Sequence, residues 1–102
     1  MSKPSDAIND RKRMSLLALK FPSLHEGVPG IAPWDAEQLD CWLTTSGAVT
    51  AGSLCAGRFV LYVWNPETEW QSGPFSLRET YGRLDLAHWN VLVDFIRNPF
   101  FP

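Results

Sequence analysis

The sequence is poor in the residues on which catalytic and metal-binding motifs depend. It has two cysteines and two histidines among 102 residues, and their spacing fits none of the usual zinc ligand pairs. It also lacks Gly-x-Ser-x-Gly, His-Glu-x-x-His, Cys-x-x-Cys and a glycine-rich phosphate loop. The sequence therefore predicts no metal site and no cofactor, and it favours a non-enzymatic protein over an enzyme.

Long apolar runs are absent as well. No stretch approaches the roughly 20 apolar residues of a membrane-spanning helix. The apolar residues from Met14 to Leu19 are broken by Ser15 and followed by Lys20, so they lack the form of a signal peptide. Small secreted domains usually carry more cysteines than Cys41 and Cys55. We therefore expect a soluble cytoplasmic protein with two reduced thiols and no membrane partner.

Positive charge is scarce outside the first twenty residues. Residues 1–20 hold five basic and two acidic side chains, whereas the remainder holds four arginines and nine acidic side chains, for a formal net charge of −2. Because phosphate contacts supply most nucleic-acid affinity, the acidic body makes such binding an unlikely function. The triplet Arg11–Arg13 is more typical of a solvated helix face than of a site for an anionic partner.

The composition is otherwise that of a small globular protein. It is 45% hydrophobic and 20% charged, with five tryptophans and six phenylalanines. One domain is expected at this length. We predict a disordered tail over residues 1–5 and a single all-α domain over residues 6–102, built from four to five short helices around a central apolar helix.

Helix boundaries follow from capping residues and from proline. Four outer helices are predicted at residues 5–20, 35–44, 76–81 and 86–97. Asp35 with Gln38, and Ser76 with Glu79, have the spacing of capping boxes. In the second helix the apolar arc contains Ala36, Leu39, Trp42 and Leu43, and Asp40 and Cys41 are predicted on the polar side. In the last helix a broad apolar stripe is predicted to contain Leu86, Trp89, Leu92, Val93, Phe95 and Ile96.

The central run is the ambiguous element. Residues 59–64 have the β-branched and aromatic composition of a strand. A strand needs a partner, and no second strand is evident in the chain, so we predict a helix from Val49 to Trp64. Gly52 and Gly57 argue against a helix unless neighbouring helices pack closely against them. A two-part element with a turn near Gly57 remains an alternative.

Three residues in and after this run are candidates for binding. Arg58 and Tyr62 are the polar positions through which the central helix would reach the surface. Trp70 stands in the otherwise polar segment 65–75, which Asn65 and Pro66 open. Trp70 would either fold back over the core or anchor a partner, since tryptophan is enriched at binding hot spots.

Asp85 and His88 are the second candidate site. Asp85 is placed to cap the last helix, and its carboxylate could reach His88 across one turn. A histidine oriented by an aspartate can serve as a general base or as a metal ligand, although a core-edge histidine held by the helix cap is the commoner arrangement.

One resemblance rests on three segments of the second half of the chain. They are Arg-Phe-Val-Leu-Tyr-Val-Trp-Asn-Pro at 58–66, Phe-Ser-Leu at 75–77 and Asp-Leu-Ala-His at 85–88. These segments resemble small bacterial proteins of uncharacterised function. In that pattern Trp precedes the aspartate and Arg follows the histidine, whereas Leu84 and Trp89 stand here. The resemblance implies a compact, mostly helical cytoplasmic protein and carries no activity.

The sequence thus favours a protein-interaction module that binds another protein or a second copy of itself. The alternative is a small-ligand-binding or enzymatic domain with Asp85 and His88 in its pocket.

Overall fold

A computed structural model describes residues 4–102, with side chains from Ile8 onward. This part of the chain contains five α-helices and no β-strand, which confirms the predicted all-α class. The first three residues of the predicted tail lie outside the described part. The helices are α1 (Pro4–Leu19), α2 (Ala36–Thr45), α3 (Ala51–Trp64), α4 (Leu77–Tyr81) and α5 (Leu86–Arg97).

The central run is helical from Ala51 to Trp64, so the helix begins two residues later than predicted. The hydroxyl of Thr50 accepts a hydrogen bond from the backbone N–H of Ser53 at 3.1 Å and so caps α3, and Asn65 ends it. Helix α3 contacts α1, α2 and α4, and most of its residues are buried. The helix predicted by elimination is therefore confirmed, and neither the strand nor the turn near Gly57 occurs.

At Gly57, helix α3 packs closely against Leu43 of α2. A methyl group added there would collide with the Leu43 side chain, whose Cγ would lie only 3.1 Å away. Gly52 differs, because an added methyl group would have its nearest neighbours at 3.9 Å. Only Gly57 is thus explained by the close helix packing that the sequence analysis required.

The segment between α1 and α2 is irregular and yet belongs to the core. Leu24, Val28, Ile31 and Trp34 each expose 4% or less of their surface. Successive turns close with backbone hydrogen bonds such as Val28 N–H to the His25 carbonyl at 2.9 Å, which satisfies polar groups in a buried loop. The predicted helices, at residues 5–20 and 35–44, left this segment without a helix, but they did not indicate its burial.

The structure corrects two predictions about which side chains are buried, one on α2 and one on α5. Asp40 is buried, at 7% exposure, because segment 65–75 covers that side of α2, whereas its neighbour Cys41 is exposed as predicted. In α5, only His88, Leu92 and Phe95 are buried. The predicted stripe was too broad, because α5 lies at the edge of the core and meets it along a narrow face. The stripe residues outside that face are 38% to 75% exposed: Leu86, Val93 and Ile96.

The C-terminal segment folds back against α5 and α1. The Phe100 ring lies 5.6 Å from the Phe95 ring, and the Arg13 guanidinium carbon lies 4.2 Å above the Phe100 ring. The basic triplet therefore does not form one patch, since Arg13 stacks on Phe100 of the same chain. Within residues 4–102, no helix combines the length and the apolar character needed to cross a bilayer.

Candidate functional site

Three of the five predicted site residues lie together. Arg58, Tyr62 and Trp70 line a hollow of about 160 Å³ between the C-terminal half of α3 and segment 65–75. Phe75 closes one side, with its ring 6.0 Å from the Tyr62 ring. The one-turn spacing of Arg58 and Tyr62 on α3 places both at this edge of the helix.

Arg58 and the indole N–H of Trp70 are already engaged in hydrogen bonds. Arg58 donates from Nε to the Ser72 carbonyl at 2.6 Å and from Nη1 to Glu79 Oε2 at 3.2 Å. The indole N–H of Trp70 donates to the Asn65 carbonyl at 3.2 Å, and its ring packs against the core. Arg58 therefore holds segment 65–75 against α3 and also links α3 to α4. Trp70 thus covers the core, and Tyr62, at 46% exposure, offers the most free surface.

Asp85 and His88 pair as their spacing predicted. Oδ1 of Asp85 accepts hydrogen bonds from the His88 backbone N–H at 2.9 Å and from the ring Nδ1 at 2.7 Å. The backbone N–H and then the ring of His88 hold the pKa of the Asp85 carboxyl below its usual value of 3.8. The carboxylate is largely exposed, whereas the His88 side chain is only 8% exposed.

A third residue, Ser23, completes this group and was not predicted from the sequence. Ser23, in the loop after α1, has its Oγ 2.7 Å from Nε2 of His88. The two residues are 65 positions apart, and Ser23 belongs to no motif, so no local signal could have joined them. Ser23, His88 and Asp85, which we call the Ser–His–Asp group, form a continuous hydrogen-bonded relay.

The relay has the connectivity of a nucleophile, a base and an orienting carboxylate. Nδ1 of His88 donates to Asp85, which leaves Nε2 of the neutral ring free to accept the Ser23 hydroxyl proton. The same bonds also tie the loop after α1 to the N-terminus of α5. The geometry therefore supports both proton transfer and a structural cross-link.

A second hollow was not foreseen by the sequence analysis. It has a volume of about 470 Å³ and lies between the outer face of α1 and the loop at residues 33–34. We call it the α1 hollow. Its walls include two exposed apolar side chains, Ile8 and Leu16, and two cationic ones, Arg11 and Lys12. Trp34 forms part of its floor and is 2% exposed.

The spacing of these α1 residues was readable in the sequence. Positions 8, 11, 12, 15 and 16 recur at three to four residues, which places them on one helix face. The inner face of α1, with Met14, Leu17 and Ala18, is buried in the core. The apolar residues Ile8 and Leu16 on this outer face were the sequence feature from which the hollow could have been predicted.

Metal ligands do not cluster in the described part of the chain. Among residues 8–102, no group of three or more histidine, cysteine, aspartate or glutamate side chains is placed to hold an ion. Cys41 is an exposed free thiol on α2, and Cys55 is a buried one on α3.

Comparisons with protein-family models, with curated proteins and with solved structures gave no match. The resemblance to small bacterial proteins therefore stays a prediction.

Proposed function

We propose that the protein is an interaction module that binds an acidic, apolar segment of another protein at the α1 hollow. The observation that carries this proposal is the pairing of exposed Ile8 and Leu16 with Arg11 and Lys12 on one face of α1. The low number of cysteines supports a cytoplasmic location for such a module.

Burial of the apolar side chains supplies the first part of the affinity. Ile8 and Leu16 are 55% and 64% exposed, far more than the aliphatic residues on the inner face of α1. Because complete burial of such a side chain is worth about 1.5–3 kcal/mol, covering each exposed half contributes ~1 kcal/mol. A groove beside a helix suits an amphipathic helix with apolar residues one turn apart.

Charge favours an acidic occupant. Arg11 and Lys12 lie at the wall of the hollow, and none of the described residues that line it is acidic. Arg11 also lines the adjoining hollow at Asp35 and Trp64. A carboxylate on the partner would therefore meet positive charge at the wall of the α1 hollow.

The test uses two synthetic amphipathic helical peptides that share the same leucine and phenylalanine positions and differ only in glutamate or lysine at the flanking positions. Binding of each labelled peptide is measured by fluorescence anisotropy. We expect the glutamate peptide to bind more tightly than the lysine peptide and to weaken with added salt.

Leu16→Glu should reduce the affinity for the glutamate peptide at least ~10-fold, since an apolar anchor is lost and a like charge is added. Ile96→Glu is the matched control, because Ile96 is 62% exposed on α5, far from the hollow along the chain. Equal binding of both peptides, or no binding of either, contradicts the proposal. Dimerisation of the unmodified protein that Leu16→Glu abolishes would assign the hollow to a second copy instead.

A further inference from the structure

We propose that Ser23 is a nucleophile activated by His88, and that it accepts acyl groups from activated esters. The proposal goes beyond the interaction surface and depends on a different set of residues. Its basis is the Ser–His–Asp group, in which both hydrogen bonds measure 2.7 Å.

Asp85 selects the tautomer that this chemistry requires. An ionised carboxylate only accepts hydrogen bonds, so the hydrogen on the His88 ring lies on Nδ1. Nε2 then presents its lone pair to the Ser23 hydroxyl. Packing limits ring rotation, because the His88 ring is buried beside the Phe21 ring at 5.9 Å. Asp85 thus acts as a positioning residue, and His88 acts as the general base.

The solvent exposure of the Ser–His–Asp group suits these roles. Ser23 is partly exposed and is flanked by the exposed Pro22, whereas the base behind it is buried. A reagent can therefore approach the hydroxyl from solvent while the imidazole stays shielded. The Asp85 carboxylate is exposed to solvent, whereas the aspartate of a Ser-His-Asp protease triad is buried.

The reaction is an acyl transfer with a balanced proton inventory. Oγ of Ser23 attacks the ester carbonyl as its proton passes to Nε2 of His88. The bond from the carbonyl carbon to the leaving oxygen breaks. The leaving group, which is a phenoxide when the substrate is an aryl ester, takes the proton from His88. Water then attacks the acyl-serine with His88 again as base, which releases the carboxylic acid and restores Ser23.

The substrate range follows from what surrounds Ser23. The nearest following backbone N–H, that of Leu24, already donates to the Phe21 carbonyl at 3.0 Å. It is therefore not free to stabilise an oxyanion, and general-base assistance must supply most of the acceleration. Esters with good leaving groups and fluorophosphonates should react, whereas peptide bonds should not.

A fluorophosphonate probe tests the proposal, because Ser23 displaces fluoride and forms a stable phosphonyl ester. The folded protein is incubated with the probe, and modified residues are located by tandem mass spectrometry. We expect Ser23 to be labelled at least ~100-fold faster than Ser46, the magnitude typical of general-base assistance. Ser46 is the matched comparison, since it is partly exposed and its hydroxyl accepts a hydrogen bond from a backbone N–H.

Variants separate reactivity from a purely structural role. Ser23→Ala should abolish the fast labelling and Ser46→Ala should leave it unchanged. Asp85→Asn retains a side chain that can cap α5, so it should slow labelling of Ser23 more than tenfold while the folded helical content is kept. Absence of Ser23 labelling in the unmodified protein, or equal labelling after heat denaturation, would overturn the proposal and leave the group as a cross-link.

Discussion

Oδ1 of Asp40 lies 2.8 Å from the backbone nitrogen of Ser72, 32 residues later in the chain. Its other oxygen accepts from the backbone nitrogen of Gln71 at 3.0 Å. One buried carboxylate on α2 thus fixes the middle of segment 65–75, which also carries Trp70. Because Arg58 donates to the carbonyl of the same Ser72, the segment is held from α2 and from α3.

Asp40→Ala should destabilise the protein by about 2–4 kcal/mol, because two backbone N–H groups lose a charged acceptor in a covered position. Asp40→Asn should cost less, since one oxygen remains to accept. Urea unfolding followed by circular dichroism measures both values. Glu69→Gln is the control, as it removes an exposed carboxylate from the same segment and should change stability by less than about 0.5 kcal/mol.

Gly57→Val should destabilise the protein by about 1–3 kcal/mol, the usual range for overpacking a filled core. The added atoms would collide with Leu43 of α2, and α3 cannot move away because it also contacts α1 and α4. Thermal unfolding measures the loss. Gly52→Val is the matched control in the same helix, where the nearest atoms leave room for a side chain. Equal losses in the two variants would contradict the close approach of α2 and α3.

Asp85 should make the stability depend on pH in the acid range. Its pKa in the folded chain lies below 3.8, so the fold favours the ionised carboxylate. The resulting stabilisation is present above the unfolded pKa and is lost as the pH falls through the folded pKa. The melting temperatures of the native protein and of Asp85→Asn should therefore differ at about pH 5, and the difference should shrink as the pH falls below 3.8.

Asp94→Asn provides the comparison for this titration. Asp94 is an exposed carboxylate on the same helix, and its replacement should leave the acid-range profile of the native protein unchanged. A difference between the native protein and Asp85→Asn that persists at low pH would contradict the assigned role of the ionised Asp85.

Local signals predicted most of the fold. Asp35, Ser76 and Asp85 each accept the capping hydrogen bond that their sequence context indicated. Each capping box also predicts a second hydrogen bond, from the backbone N–H of the N-cap residue to the side chain three residues later. This second bond was less predictable, because other partners compete for the same groups. Glu79 pairs with Arg58, and the backbone N–H of Asp35 donates to the Gly30 carbonyl.

Long-range contacts explain what the sequence could not reveal about the sites. Asp40 is polar and lies opposite the apolar arc of α2, so only the position of segment 65–75 makes it a buried residue. Ser23 likewise gains its partner from the packing of α5 on the loop after α1. The outward stripe on α1 was present in the sequence as Ile8 and Leu16, but helical spacing alone could not show that residues 33–34 complete a hollow beside it.

The buried loop between α1 and α2 restricts where this protein can change in length. Leu24, Val28 and Ile31 are as deeply buried as the core residues of the helices. Gly30 has a φ of +84°, and a side chain there would collide with Asp35 and Leu39. Related chains should therefore keep this loop at constant length, although it is rich in proline and glycine. The short connection at Gly47, which is open to solvent, is the natural place for insertions, tags or a fused domain.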